Sequence, residues 1–210
     1  MSIIRVANDY YPTPAPLVDG ILDILGSRIK HQDILFDCAA GHGAIVDRCK
    51  LRYPNSFGNE PYPSLDYQPA FTLDATQSKS WDEFGSIDLT ITNTPFDIEI
   101  MMPMLTHAIE RSRRGVVALV RVTWIEPCEN RVQFLAEYAD RLRYFVPVNP
   151  RPKFRTDTKG SDNATVAWMV WDRCWSWRSM GLESPFKFIT DWKNEANYNL
   201  SQTKISRLTE

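Results

Sequence analysis

Strand-like and helix-like segments alternate along most of this 210-residue chain, and that alternation limits the folds it can adopt. Short apolar runs bounded by turn residues predict strands, which are 33–38, 56–58, 70–73, 88–92, 115–121, 144–148 and 164–171. Apolar residues at helical spacing predict helices, which are 14–25, 44–53, 98–112 and 131–141. This order is typical of α/β proteins. We therefore expect a Rossmann-like three-layer sandwich with a mainly parallel seven-stranded sheet and one antiparallel strand.

Polar side chains end the first four predicted strands. Asp37 lies near the end of the first strand, Glu60 and Asp74 follow the second and third, and Asn93 follows the fourth. Ligands of open α/β sheets bind outside the carboxyl ends of the strands. The sequence therefore predicts that these four side chains belong to one site.

The fourth strand leads into Asn93-Thr94-Pro95-Phe96, which suits chemistry on an amino group. An exocyclic amine on an aromatic base is a poor nucleophile, because its lone pair is delocalised into the ring, so an enzyme must hold it with acceptors. The Asn93 amide oxygen and the Thr94 carbonyl could accept from it, since Pro95 biases Thr94 toward an extended conformation. Phe96 could stack on an extruded base. An ordinary turn after a strand is the alternative interpretation.

This segment resembles the Asn-Pro-Pro-Tyr/Phe motif of amino-directed class I methyltransferases that use S-adenosylmethionine, with Thr94 in place of the first proline. The loop after the first strand resembles the Asp/Glu-x-x-x-Gly-x-Gly loop of the same enzymes. The resemblance implies that Asp37, Ala39, Gly41 and Gly43 line the methionine part of the cofactor. A tight turn that needs glycine is the alternative. His42 within the loop is bulkier than the family usually carries.

Further cofactor residues follow from the same resemblance. Glu60 would accept the ribose hydroxyls, and Asp74 with Ala75 would contact the adenine. The segment Tyr10-Tyr11-Pro12-Thr13-Pro14 resembles the Tyr-x-Thr-Pro segment of many adenine-specific DNA methyltransferases. By that resemblance, Tyr11, Thr13 and Pro14 of this sequence would close the cofactor pocket. Thr13 could also cap the first helix.

The charge distribution bears on partners. Residues 1–110 carry 7 Lys and Arg against 15 Asp and Glu, whereas residues 111–210 carry 17 against 11. A basic half is a plausible footprint for a polyanion. Arg151, Lys153 and Arg155, in the loop between the last two predicted strands, are the candidates for phosphate contacts, and a solvated hairpin is the alternative. We expect a nucleic-acid partner, DNA in the first place, and a specificity subunit or homo-oligomer as a further possibility.

Other classes fit the sequence less well. The four cysteines lack the paired spacing of zinc sites, so no metal is expected. The same spacing argues against a disulfide framework, so we expect reduced thiols and a cytoplasmic protein. The longest plainly apolar run, 116–120, is far below the ~20 residues of a membrane helix, so no membrane association is expected. A methyltransferase domain over 1–172 and a small C-terminal appendage or tail over 173–210 are the expected organisation.

The resemblance to DNA adenine-N6 methyltransferases of phages and restriction-modification systems implies methylation of adenine N6 in DNA. Two alternatives stay open. One is another amine, either guanine N2 in RNA or the side-chain amide of a protein glutamine. The other is a domain that binds the cofactor but is inactive, because Thr94 and His42 depart from the family pattern.

Overall fold

The structure is a computed structural model that describes residues 12–126, 128–154 and 165–188. Six strands form one sheet, namely β1 (Leu35–Asp37), β2 (Phe57–Gly58), β3 (Leu89–Thr92), β4 (Gly115–Arg121), β5 (Leu142–Pro147) and β6 (Val166–Asp172). Five α-helices accompany them, namely α1 (Ala15–Leu25), α2 (Ala44–Lys50), α3 (Ser78–Glu83), α4 (Ile98–Arg111) and α5 (Glu129–Tyr138). Residues 10, 11 and 155 lie outside the described ranges.

The strand order is β2-β1-β3-β4-β6-β5. Strands β1 to β4 are parallel, while β6 is antiparallel to both of its neighbours, β4 and β5. The carboxyl ends of β1 to β4 and of β5 therefore share one edge of the sheet. The α/β class and the mixed sheet agree with the prediction.

The predicted count of seven strands is wrong for the described residues, because 70–73 forms no strand. This segment makes an isolated parallel bridge between Asn59 and Phe71. Next to the bridge, the Asn59 side chain makes the hydrogen bonds to Leu73 that the backbone of a neighbouring strand would otherwise make. Its Nδ2 donates to the Leu73 carbonyl at 2.9 Å, and its Oδ1 accepts from the Leu73 N–H at 2.8 Å. Strand β2 is only two residues long, so it offers little backbone for further pairing.

Apolar residues cover both faces of the sheet. Helices α3, α4 and α5 pack on one face, and α1 and α2 pack on the other. Strand β4 shows how the sequence achieves this, since its Ala118 and Val120 belong to the first core cluster and Val117 and Leu119 to the second. Alternate side chains of a strand point to opposite faces, so the all-apolar run is what a central strand requires.

The helices match the predicted ones with small shifts at their ends, and α3 is an addition that the sequence pattern did not reveal. Beyond β6 the chain packs back on the domain. The Trp177 indole donates to the Leu142 carbonyl at 3.0 Å, and Phe186 and Phe188 pack against the first core cluster. The domain boundary at residue 172 stays a prediction, and residues 189–210 of the expected tail lie outside the described ranges.

Candidate functional site

A cleft of about 780 Å³ opens at the carboxyl edge of β1, β2 and β3. Its volume falls within the range of small-molecule and cofactor sites. Nine residues predicted for the site line it, namely Thr13, Asp37, Ala39, Gly41, Glu60, Asp74, Ala75, Asn93 and Pro95. The structure thus brings together Asp37, Glu60, Asp74 and Asn93, the four polar residues that the sequence assigned to one site.

Asp37 lies at the end of β1, at the floor of the cleft. Its side chain is only 2% exposed, and its Oδ1 accepts the Ala39 N–H at 3.1 Å. Burial raises the pKa of this carboxyl to about 7, nearby Glu60 adds to the rise, and hydrogen bonds from Thr92 and Ala39 oppose it. The group is therefore poised to lose its proton when a cation enters the cleft.

Glu60 joins the first two strand ends. One carboxylate oxygen accepts the Gly41 N–H at 2.9 Å, and the other accepts the Tyr62 N–H at 3.1 Å. The adjacent Asn59 is fully buried, and its Nδ2 donates to the Cys38 carbonyl at 3.1 Å. These bonds hold the loop after β1 against the end of β2, so the position of Glu60 depends on both strands.

Asp74 lies at the cleft although its predicted strand is absent, because Asn59 fixes the preceding Leu73. Its carboxylate accepts the backbone N–H of Thr76 at 2.9 Å and the Thr76 hydroxyl at 2.7 Å. The Thr76 hydroxyl lowers the pKa of Asp74. The pKa of this exposed carboxyl is thus shifted downward, whereas burial shifts the pKa of Asp37 upward.

Asn93 emerges from β3 on the other wall, and its Nδ2 donates to the Thr13 hydroxyl at 3.1 Å. The predicted role of Thr13 as a helix cap is wrong. Helix α1 has Pro14 at its N-cap with no side-chain hydrogen bond, because the Thr13 hydroxyl is directed at Asn93 instead. This hydrogen bond orients the Asn93 amide.

Four predicted site residues do not line the cleft, namely Pro14, Gly43, Thr94 and Phe96. Gly43 has φ +82° at the start of α2, and an added Cβ would overlap the Tyr67 ring. Thr94 is 2% exposed, and its hydroxyl has no hydrogen-bond partner within the described ranges. Phe96 is half-buried at the rim. Direct contacts of these side chains with a cofactor stay predictions.

The basic residues lie apart from the cleft but at the same edge of the sheet. Arg151 and Lys153 are exposed in the segment that follows β5, while the intervening Pro152 and the following Phe154 are buried. The two buried residues hold the segment against the protein, and the two basic side chains that alternate with them face the solvent. Arg155 and Tyr11 lie outside the described residues.

Sequence reasoning missed several lining residues. The most informative are Asp97 and Glu99, at the start of α4, and Tyr62, which follows Glu60 and is 73% exposed. His42 also lines the cleft, and its Nδ1 lies 2.8 Å from the Ser64 hydroxyl oxygen. The position of Asp97 and Glu99 just after the Asn93 motif was the available signal. Among the described residues, no three His, Cys, Asp or Glu side chains are grouped as metal ligands would be.

Several solved structures that superpose on this chain are named as methyltransferases or their subunits. A modification subunit assigned to a type I restriction enzyme of Vibrio vulnificus YJ016 superposes with a TM-score of 0.62 at 15% identity, over 78% of this chain and 44% of that one. The type I restriction-modification methyltransferase subunit of Streptococcus thermophilus gives 0.58 at 13%, over 77% and 44%. A protein assigned as an RNA methyltransferase from Pyrococcus horikoshii gives 0.56 at 15%, over 77% and 86%. The chain therefore shares its fold with these proteins.

The match with the restriction-modification subunits is limited in length, since this chain spans less than half of each of them. No protein-family model and no curated protein sequence matches the chain. Among the described residues, no helix combines the length and apolarity that crossing a membrane requires.

Proposed function

We propose that this protein transfers a methyl group from S-adenosylmethionine to an exocyclic amino group, with adenine N6 of DNA as the first candidate. One observation carries the proposal. The carboxyl groups of Asp37, Glu60 and Asp74 line a single cleft of about 780 Å³ together with Asn93 and Pro95, which follow β3. That combination suits both a cationic nucleoside cofactor and an amine.

The residues present fit the cofactor. A buried carboxyl such as Asp37 suits an ammonium group, and Glu60, held by two backbone N–H groups, suits a pair of ribose hydroxyls. Asp74 with Ala75 suits the adenine edge. The small side chains of Ala39 and of its neighbours in the loop allow close approach of a ligand to the backbone. The cofactor would supply an electrophilic methyl group on a sulfonium.

The acceptor side rests on Asn93. Thr13 orients the Asn93 amide by accepting a hydrogen bond from its Nδ2, which leaves the amide oxygen for the substrate. We assign this oxygen and the Thr94 carbonyl as the acceptors of the amine. These acceptors favour the tetrahedral amine that forms as the methyl is transferred, and holding methyl and amine in line supplies much of the acceleration. The released proton passes to water.

The substrate is the finer part of the proposal. Neighbours named as restriction-modification subunits support DNA and assembly with other subunits, and one assigned as an RNA methyltransferase keeps RNA open. Arg151, Lys153 and Arg155 are the proposed phosphate contacts. The alternatives are methylation of another amine, guanine N2 in RNA or a protein glutamine, and a domain that binds the cofactor without activity.

The roles of Glu60 and Asn93 separate in one experiment. Cofactor binding measured by calorimetry should weaken strongly in Glu60→Ala, because the ribose loses its acceptor. Asn93→Ala should bind the cofactor nearly as well as wild type and lose ~10²–10³ in methyl transfer, by analogy with the loss of one oxyanion-hole donor. Thr13→Val, which keeps the shape but cannot accept from Asn93, should lower transfer by a smaller factor. Equal effects of Glu60→Ala and Asn93→Ala on cofactor binding would refute the assignment.

A further inference from the structure

A cation that the sequence did not single out lies beside Phe96, whose chain neighbours Pro95 and Asp97 line the cleft. Arg121 is the last residue of β4, the strand next to β3. Its guanidinium carbon lies 4.9 Å from the centroid of the Phe96 ring, within the range of a cation–π contact. The exposed group of this pair is therefore the guanidinium, while the ring below it is half-buried against the core.

Within the described part of the chain, Arg121 has neither a hydrogen bond nor an ion pair for its guanidinium. Two other arginines of residues 111–210 form ion pairs. A guanidinium nitrogen of Arg113 lies 2.7 Å from a carboxylate oxygen of Asp88, and one of Arg114 lies 2.6 Å from a carboxylate oxygen of Asp33. An exposed guanidinium with unused donors is suited to a planar or tetrahedral oxyanion, which it binds with charge-assisted hydrogen bonds.

The backbone places Arg121 rigidly. It is paired with Val166 in the β4–β6 ladder, and the next N–H, that of Val122, donates to the Thr165 carbonyl at 2.8 Å. Strand β6 alone separates β4 from β5, so the end of β5 lies two strand spacings, about 10 Å, from β4 at the same edge of the sheet. The segment with Arg151 and Lys153 follows that end of β5. The cleft itself is acidic at this point, with Asp97 and Glu99 in its wall. These carboxylates repel a polyanion that approaches the Asn93 motif, and a cation beside the motif offsets that repulsion.

We propose that Arg121 binds the phosphate of the nucleotide whose base enters the cleft, with the Phe96 ring as its support, and that it is a substrate-positioning residue. This inference rests on the proposed function for the identity of the substrate as a nucleic acid. It also changes the expectation for Phe96: stacking of this ring on an extruded base requires Arg121 to move from its position over the ring.

The test measures methyl transfer and equilibrium binding with an unmethylated, PCR-amplified DNA duplex and a single-stranded RNA, each between 50 and 200 mM NaCl. Arg121→Gln should raise the KM for nucleic acid about tenfold. It should also reduce the salt slope of binding by about one, since one phosphate contact is lost, while cofactor affinity stays as in wild type. Arg121→Lys keeps the charge and should retain the salt slope.

Arg141→Gln is the matched control. Arg141 is an exposed arginine immediately before β5, at the opposite edge of the sheet, so the same loss of charge occurs away from the cleft. If Arg121→Gln and Arg141→Gln give the same KM and salt slope, the inference is wrong even when wild type methylates DNA. If the slopes differ but wild type transfers no methyl group to either nucleic acid, the phosphate contact of Arg121 stands, while its role in positioning a substrate fails together with the proposed function.

Discussion

Replacing Asp37 by Asn should remove a large part of the pH dependence of stability. Burial raises the pKa of Asp37 from 3.8 to about 7 in the folded protein, so the folded state holds a proton that the unfolded state has released. Stability from this group is fully present below pH 3.8 and is lost as the pH rises toward 7. Linkage with these two values gives a loss of about 2–3 kcal/mol in the free energy of unfolding between pH 5 and pH 8.

Urea unfolding at pH 5, 6, 7 and 8 measures this loss directly. The wild-type free energy of unfolding should fall over this range by about 2–3 kcal/mol more than that of Asp37→Asn. The difference between the two pH dependences is the quantity of interest, because the Asn amide also changes local hydrogen bonds by an amount that does not vary with pH.

Asp74→Asn is the control, since Asp74 lines the same cleft but has a lowered pKa. Stability from Asp74 is present above its unfolded pKa of 3.8 and is lost only as the pH falls below that value. Asp74→Asn should therefore keep the wild-type slope between pH 5 and pH 8. Parallel curves for wild type and Asp37→Asn would refute the reasoning, because they would mean that burial does not hold the proton on Asp37.

The remaining predictions concern Asp37 and the glycine loop that follows β1. Cofactor affinity should rise about tenfold between pH 6 and pH 8, because the cofactor ammonium binds the ionised form of Asp37, and calorimetry on Asp37→Asn should show a flat profile; a flat wild-type profile would contradict this. Gly43→Ala should lower the free energy of unfolding by about 1–3 kcal/mol, since Gly43 has φ +82° and its Cβ would overlap Tyr67. Gly20→Ala, in helix α1, should instead raise stability by about 0.5–1 kcal/mol in the same unfolding assay, because the added Cβ would meet no other part of the protein within 4 Å. A loss at both positions would argue against the account of Gly43.

The sequence predicted which side chains gather at the cleft better than it predicted the number of strands. Asp37, Glu60, Asp74 and Asn93 each follow a strand-like run, and parallel strands bring such ends together whatever the details of pairing. The strand count failed at 70–73, because a buried side chain, Asn59, takes over hydrogen bonds that a strand would make with its backbone. No periodic pattern reports such a substitution.

The contacts that tune the site were also hidden, because they join distant parts of the chain. Thr13 and Asn93 are 80 residues apart in sequence, and only the packing of α1 beside β3 brings them within 3.1 Å. The contact between Phe96 and Arg121 similarly depends on β3 and β4 being neighbours. Residue type and spacing were enough to single out Thr13 and Phe96. The residues that they contact could be recognised only once the arrangement of the strands was known.

The most direct test of the central claim is methyl transfer from radiolabelled S-adenosylmethionine to unmethylated DNA, with RNA and a protein extract in parallel. The proposed function predicts label on adenine N6 of DNA for the wild-type protein and almost none for Asn93→Ala. Label on RNA or protein would reassign the substrate of the same chemistry. A wild-type protein that binds the cofactor but labels none of the three would contradict the claim that this cleft transfers a methyl group.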